Sequence, residues 1–111
     1  MDAEMKEAID ACTAAVTAME RGEGSAEEVC IKTRSLFAVW RIATGTYLSL
    51  LTDDLLGNIE ALLTRARDLM TAAADRSGTK QDRDRAGRID ARLAEFRKVI
   101  AVGTSHRVVA S

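Results

Sequence analysis

Arg83, Arg85, Arg88, Arg92, Arg97 and Lys98 are the densest concentration of one chemistry in this chain. Guanidinium groups bind carboxylate or phosphate through paired N–H donors. On a helix advancing about 100° per residue, these bases flank both sides of an Ile89, Leu93 and Phe96 stripe, and Asp84, Asp90 and Glu95 interrupt them. No purely basic face results. Asp84 with Arg88, and Arg92 with Glu95, stand at intrahelical pairing distance, so the segment reads as a solvated surface. If an anion binds there, Arg83, Arg88 and Arg92 are its expected contacts.

The remaining reactive residues argue against catalysis. His106 is the sole histidine and has no cysteine or carboxylate at a motif spacing. A di-iron site in a bundle needs Glu-x-x-His pairs, and none is present. Cys12 and Cys30 lack zinc-site spacing, and no glycine-rich phosphate loop precedes a helix. Asp53, Asp54 and Glu60 form a carboxylate cluster, but Asp53 and Asp54 point about 100° apart on a helix and suit capping better than a shared metal. The expectation is a non-enzymatic chain with no cofactor and no metal.

Both cysteines occupy apolar positions. If a turn at Gly22-Glu23-Gly24 folds two helices antiparallel, Cys12 lies ~7–8 Å too far along the axis to pair with Cys30. Two free thiols fit a reducing cytoplasm. Arg34 and Arg41, seven residues apart on one face, read as stems lying along the core edge with their heads in water. A bridge to Asp53, Asp54 or an N-terminal acid, or an exposed partner contact, are the alternatives. Leu36, Phe37, Trp40 and Tyr47 form an aromatic-rich cluster that suits either the core or a partner-binding groove.

Helices must position all of these groups. Proline is absent, aromatics are 4% and charged residues 30%, which points to an all-α chain. A first helix is expected from Asp2 to Arg21, with Met5, Ile9, Cys12, Val16 and Met19 along one face, ended by Gly22 and Gly24. Ser25-Ala26-Glu27-Glu28 matches a capping box and opens the second helix. Thr44-Gly45-Thr46 is the expected break, with Thr52-Asp53-Asp54 as the alternative. The first choice gives a third helix from Tyr47 to Arg76. Leu55, Ile59, Leu62, Ala66, Leu69 and Ala73 make its heptad seam, which Ala86, Ile89, Leu93, Phe96 and Ile100 repeat after a stop at Ser77-Gly78-Thr79. A fourth helix from Lys80 to Val102, halted by Gly103, leaves residues 104–111 as a flexible tail after a single domain of residues 1–103.

Net charge is −1, so no global attraction to nucleic acid or anionic membrane is expected. Residues 1–28 carry eight acids and two bases, whereas residues 73–111 carry nine bases and five acids. The first and last helices are expected to lie side by side, or to meet across a dimer. The most apolar stretch, Leu36 to Leu51, contains Arg41 and is too short and too charged to span a bilayer comfortably. A preference for Ala, Arg and Asp over Lys points to a GC-rich bacterial genome.

Leu63-Thr64-Arg65-Ala66-Arg67-Asp68-Leu69-Met70, with Ala72 to Ala74, Gly78-Thr79, Asp82-Arg83, Ile89 and Leu93, resembles the N-terminal coiled-coil hairpin of bacterial flagellins and hook-associated proteins. The resemblance covers Leu63 to Leu93, and residues 1–54 have no counterpart in it. It implies a helical hairpin and a flagellar or secretion-related role.

These readings combine into an antiparallel helical bundle of three or four helices with coiled-coil-like packing. The expected function is a cytoplasmic adaptor, small chaperone or regulatory subunit that binds a partner protein helix and forms a homo-oligomer through its seams. Alternatives are a nucleic-acid-associated regulator using the basic C-terminal helix, and a small-molecule sensor with its ligand near Trp40.

Overall fold

Local caps set the helix boundaries. The computed structural model describes residues 3–47 and 53–110, with side chains described for 3–42 and 53–101. Helix α1 (Ala3–Glu20) ends where Gly22 adopts a φ of +78° and donates its N–H to the Met19 carbonyl at 3.0 Å. Gly24 has a different task. A Cβ there would sit 2.8 Å from the Met19 backbone nitrogen, so the chain needs glycine for close approach rather than for a left-handed bend. Helix α2 (Ala26–Tyr47) then starts with the Ser25 hydroxyl accepting the Glu28 N–H at 3.1 Å, as its capping box requires.

Helices α3 (Asp53–Ser77) and α4 (Lys80–Ala110) are joined by a tight turn in which Gly78 has a φ of +65°. Thr79 accepts the Asp82 N–H at 3.2 Å, and Asp82 accepts the Ser77 hydroxyl at 2.6 Å and the Arg85 guanidinium at 3.2 Å. These donors, Ser77 foremost, hold the Asp82 carboxyl below the usual carboxylate range.

Two helix boundaries differ from expectation. The chain does not break at Thr44-Gly45-Thr46: α2 continues to Tyr47 and α3 begins at Asp53. Gly103 likewise fails to stop α4, which reaches Ala110 through the stretch expected to be a tail. A lone glycine costs a helix only about 1 kcal/mol, less than the tertiary burial of a long helix returns. Asp53 and Asp54 suit the positive end of the α3 dipole, which favours a start there.

Two antiparallel hairpins, α1 with α2 and α3 with α4, pack so that α1 lies on α3 and α2 lies on α4, filling a body of 49 × 25 × 18 Å. The result is an all-α four-helix bundle. Met5, Cys12 and Val16 from α1 meet Val29, Leu36 and Trp40 from α2, Ile59, Leu63 and Met70 from α3, and Ile89, Leu93 and Phe96 from α4. Buried Thr33 satisfies its hydroxyl on the Cys30 carbonyl at 3.0 Å.

The α3 seam is wider than the strict heptad. Leu55 and Leu69 are half-buried, whereas Leu56, Leu63 and Met70 are buried with Ile59 and Leu62. A helix packed against both α4 and α1 needs an apolar arc rather than a two-position stripe. Ile59, Leu62, Ile89, Leu93 and Phe96 are each at most 4% exposed within one chain, so the seams are satisfied internally and supply no reason for an oligomer.

Within one chain the acidic and basic ends do not lie side by side, because α1 and α4 stand diagonally across the bundle. Their charges find other partners: Glu20 accepts from Arg65 of α3, and Arg97 reaches Glu60 at 3.2 Å. The Arg65 hydrogen bond holds the Glu20 carboxyl below its ordinary range.

Candidate functional site: an arginine-lined cleft

Helices α2 and α4 run in the same direction, since Glu27 to Arg34 face Arg85 to Arg92 and Trp40 faces Phe96. Their junction is closed at the Trp40 end. The indole packs 5.3 Å from the Phe37 ring and 4.7 Å from the Phe96 ring, centroid to centroid. Arg41 spans the rim, 3.6 Å from Glu95 and 5.9 Å above Phe37. Leu36, Phe37 and Trp40 therefore sit in the core, at 0%, 9% and 1% exposure, while the side chain of Tyr47 lies outside the described residues. Trp40 Nε1 is buried without a hydrogen bond among the described residues.

Toward the start of both helices the junction opens into a cleft of about 620 Å³. Glu27, Cys30, Ile31 and Arg34 of α2 form one wall, and Arg85, Arg88 and Arg92 of α4 form the other. Four guanidinium groups thus share one opening with a single carboxylate. Arg85 is committed to Asp82 at 3.2 Å. Among the described residues, no carboxylate pairs with Arg34, Arg88 or Arg92. Arg92 Nη1 is shut off from solvent and has no hydrogen-bond acceptor among the described residues. Like charges on facing walls resist closure, which gives a physical reason for the gap.

Sequence reasoning located this site only in part. Arg88 and Arg92 line the cleft; Arg83 is exposed and outside its lining, and Arg85 takes its place. The helical pairs expected for Asp84 with Arg88 and Arg92 with Glu95 do not form, and Glu95 instead turns to Arg41 across the junction. Arg34 joins the cleft from an exposed position instead of bridging to Asp53, Asp54 or α1. The missed signal is that Arg85, Arg88 and Arg92, at steps of three and four, share one face of α4.

The outer face of α2 has a second pattern. Ile31, Ser35, Ala38 and Ile42 follow one another at steps of four, three and four, and all are exposed, Ile31 at 48% and Ile42 at 71%. Arg34 and Arg41 run alongside at the same seven-residue interval. This is a short heptad stripe, small in its middle and basic on one flank.

The two thiols differ. Cys12 is buried, and burial pushes it up to about 12, an effect that Arg65 partly counters, whereas half-buried Cys30 lines the cleft. Asp53 and Asp54 are exposed, and among the described residues no group of three or more metal-ligating side chains could hold an ion. No helix among those residues is long and apolar enough to cross a membrane. His106 has its side chain outside the described residues.

Fold and site together define a four-helix bundle with a ligand-sized basic cleft and an exposed heptad stripe. Comparison with known protein families, curated proteins and solved structures gives no match.

Proposed function

We propose that this chain is a non-enzymatic helical interaction module of the cytoplasm. It holds an amphipathic helix of a partner protein along the outer face of α2. The observation that carries this reading is the exposed Ile31, Ser35, Ala38 and Ile42 stripe, which includes the two large hydrophobic residues most exposed among the described side chains. Ser35 and Ala38 allow close backbone approach between two isoleucine anchors. Arg34 on the flank, without a carboxylate partner among the described residues, favours a partner helix with a carboxylate at the matching position, which is how charges beside a helical seam set partner choice.

Substitution of the anchors tests this. Tagged wild-type protein should retain one dominant protein through nuclease treatment, and the Ile31→Asp/Ile42→Asp variant should release it while keeping its helical circular dichroism. Retention by the variant would overturn the reading, and so would capture that disappears with nuclease.

A further inference from the structure

We propose that the cleft between α2 and α4 binds a small molecule carrying a di- or polyphosphate group. This goes beyond the docking stripe and does not depend on it.

The cleft sets four guanidinium groups against one carboxylate, Glu27, so its charge favours an anion. Three guanidinium groups, Arg34, Arg88 and Arg92, face one opening without a carboxylate partner among the described residues, and Arg85 stands beside them with its charge only shared with Asp82. Arg92 adds a nitrogen that has lost water and gained no acceptor among those residues. A buried N–H of a charged group left without an acceptor is costly, and the Arg92 side chain escapes that cost by turning this nitrogen out to an oxyanion bound in the cleft. One carboxylate would neutralise one of these arginines. A pyrophosphate-type group concentrates several negative charges within a few ångströms, matching cations that come from two walls, and its oxygens accept the paired donors of the guanidinium fork.

Size favours a small ligand. At about 620 Å³ the cleft falls in the range of sites that hold metabolite-sized molecules. Ile31, on the rim and half exposed, offers an apolar contact to whatever the phosphates are attached to. Other basic residues lack this setting: Arg97 is paired with Glu60, and Arg83 stands exposed outside the cleft.

Calorimetric titration of the full chain with pyrophosphate at constant ionic strength tests the proposal. We expect saturable, one-to-one binding that weakens by roughly ten-fold or more in the Arg34→Gln/Arg88→Gln variant, since each substitution removes a hydrogen bond between charged groups. Arg92→Gln should weaken it likewise, and Arg83→Gln should leave it unchanged. Because Arg34 and Arg88 are exposed, their double variant reports on binding even if Arg92→Gln disturbs the fold. Absence of pyrophosphate binding would overturn the proposal, as would equal binding by wild type and the double variant. A single-stranded oligonucleotide or an acidic helical peptide that binds where pyrophosphate does not would overturn it in favour of a macromolecular anion. Ile42 lies outside the cleft lining, so loss of the α2 partner in the single Ile42→Asp variant leaves this titration untouched, and the two readings fail separately.

Discussion

The same two helices meet in opposite ways at the two ends of one junction. Around Trp40, α2 and α4 present two phenylalanines, an indole and an arginine–glutamate pair, and the gap closes. Around Arg34 they present guanidinium to guanidinium, and the gap stays open. Helix geometry is common to both ends, so side-chain charge and bulk decide the outcome. Cohesion at one end relieves the other of any need to contribute to stability, which leaves it available for a ligand.

The closed and open ends should differ sharply in what they contribute to stability. Trp40→Ala should cost about 3–5 kcal/mol by urea denaturation, whereas Ile31→Ala on the open end should change stability by less than about 0.5 kcal/mol. Similar losses at both positions would mean that the open end is part of the core. A smaller effect is expected from Arg34→Glu, which places a carboxylate opposite Arg88 and Arg92. It should raise stability by up to ~1 kcal/mol while abolishing pyrophosphate binding, and a fall in stability would show that the arginines do not repel across the cleft.

At the closed rim, a double-mutant cycle on Arg41 and Glu95 should return a coupling of about 0.2–1 kcal/mol, because both side chains are largely exposed. Zero coupling would assign closure to the aromatic residues alone. The subtlest effect is with acid. Glu20 and Asp82 are held below the ordinary carboxylate range, so their contribution is present above that range and lost as the pH falls through their lowered values. Glu20→Gln and Asp82→Asn should each flatten the acid limb of stability against pH, and Arg34→Gln/Arg88→Gln should leave it steep.

Periodicity made much of the scaffold legible. Met5, Cys12 and Val16, and Ile89, Leu93 and Phe96, repeat at helical spacing and are buried as that spacing implies. Ser25 and Thr79 announce helix starts through their hydroxyls, and the structure uses both. Gly45 and Gly103 misled because glycine marks a stop only where the following backbone needs it, as at Gly22 and Gly78. Leu55 and Leu69 misled because a heptad describes one neighbour, and α3 has more than one. The cleft was least legible. Arg34 and Arg88 are far apart in sequence, and their proximity follows from the parallel course of α2 and α4, which no local pattern encodes. An isoleucine on a largely apolar helix does not announce its exposure, and only the packed bundle reveals that Ile31 and Ile42 point outward.

Trp40 has an optical consequence. It is the chain's only tryptophan, 1% exposed, ringed by Phe37 and Phe96, and its indole N–H has no acceptor among the described residues. An indole with neither water nor a hydrogen-bond partner to relax its excited state emits toward the blue and is poorly quenched by iodide or acrylamide. Each molecule therefore has a single indole fluorophore, at the closed end of the α2–α4 junction. Its emission reports parting of those two helices before the rest of the bundle unfolds, and no added label is needed.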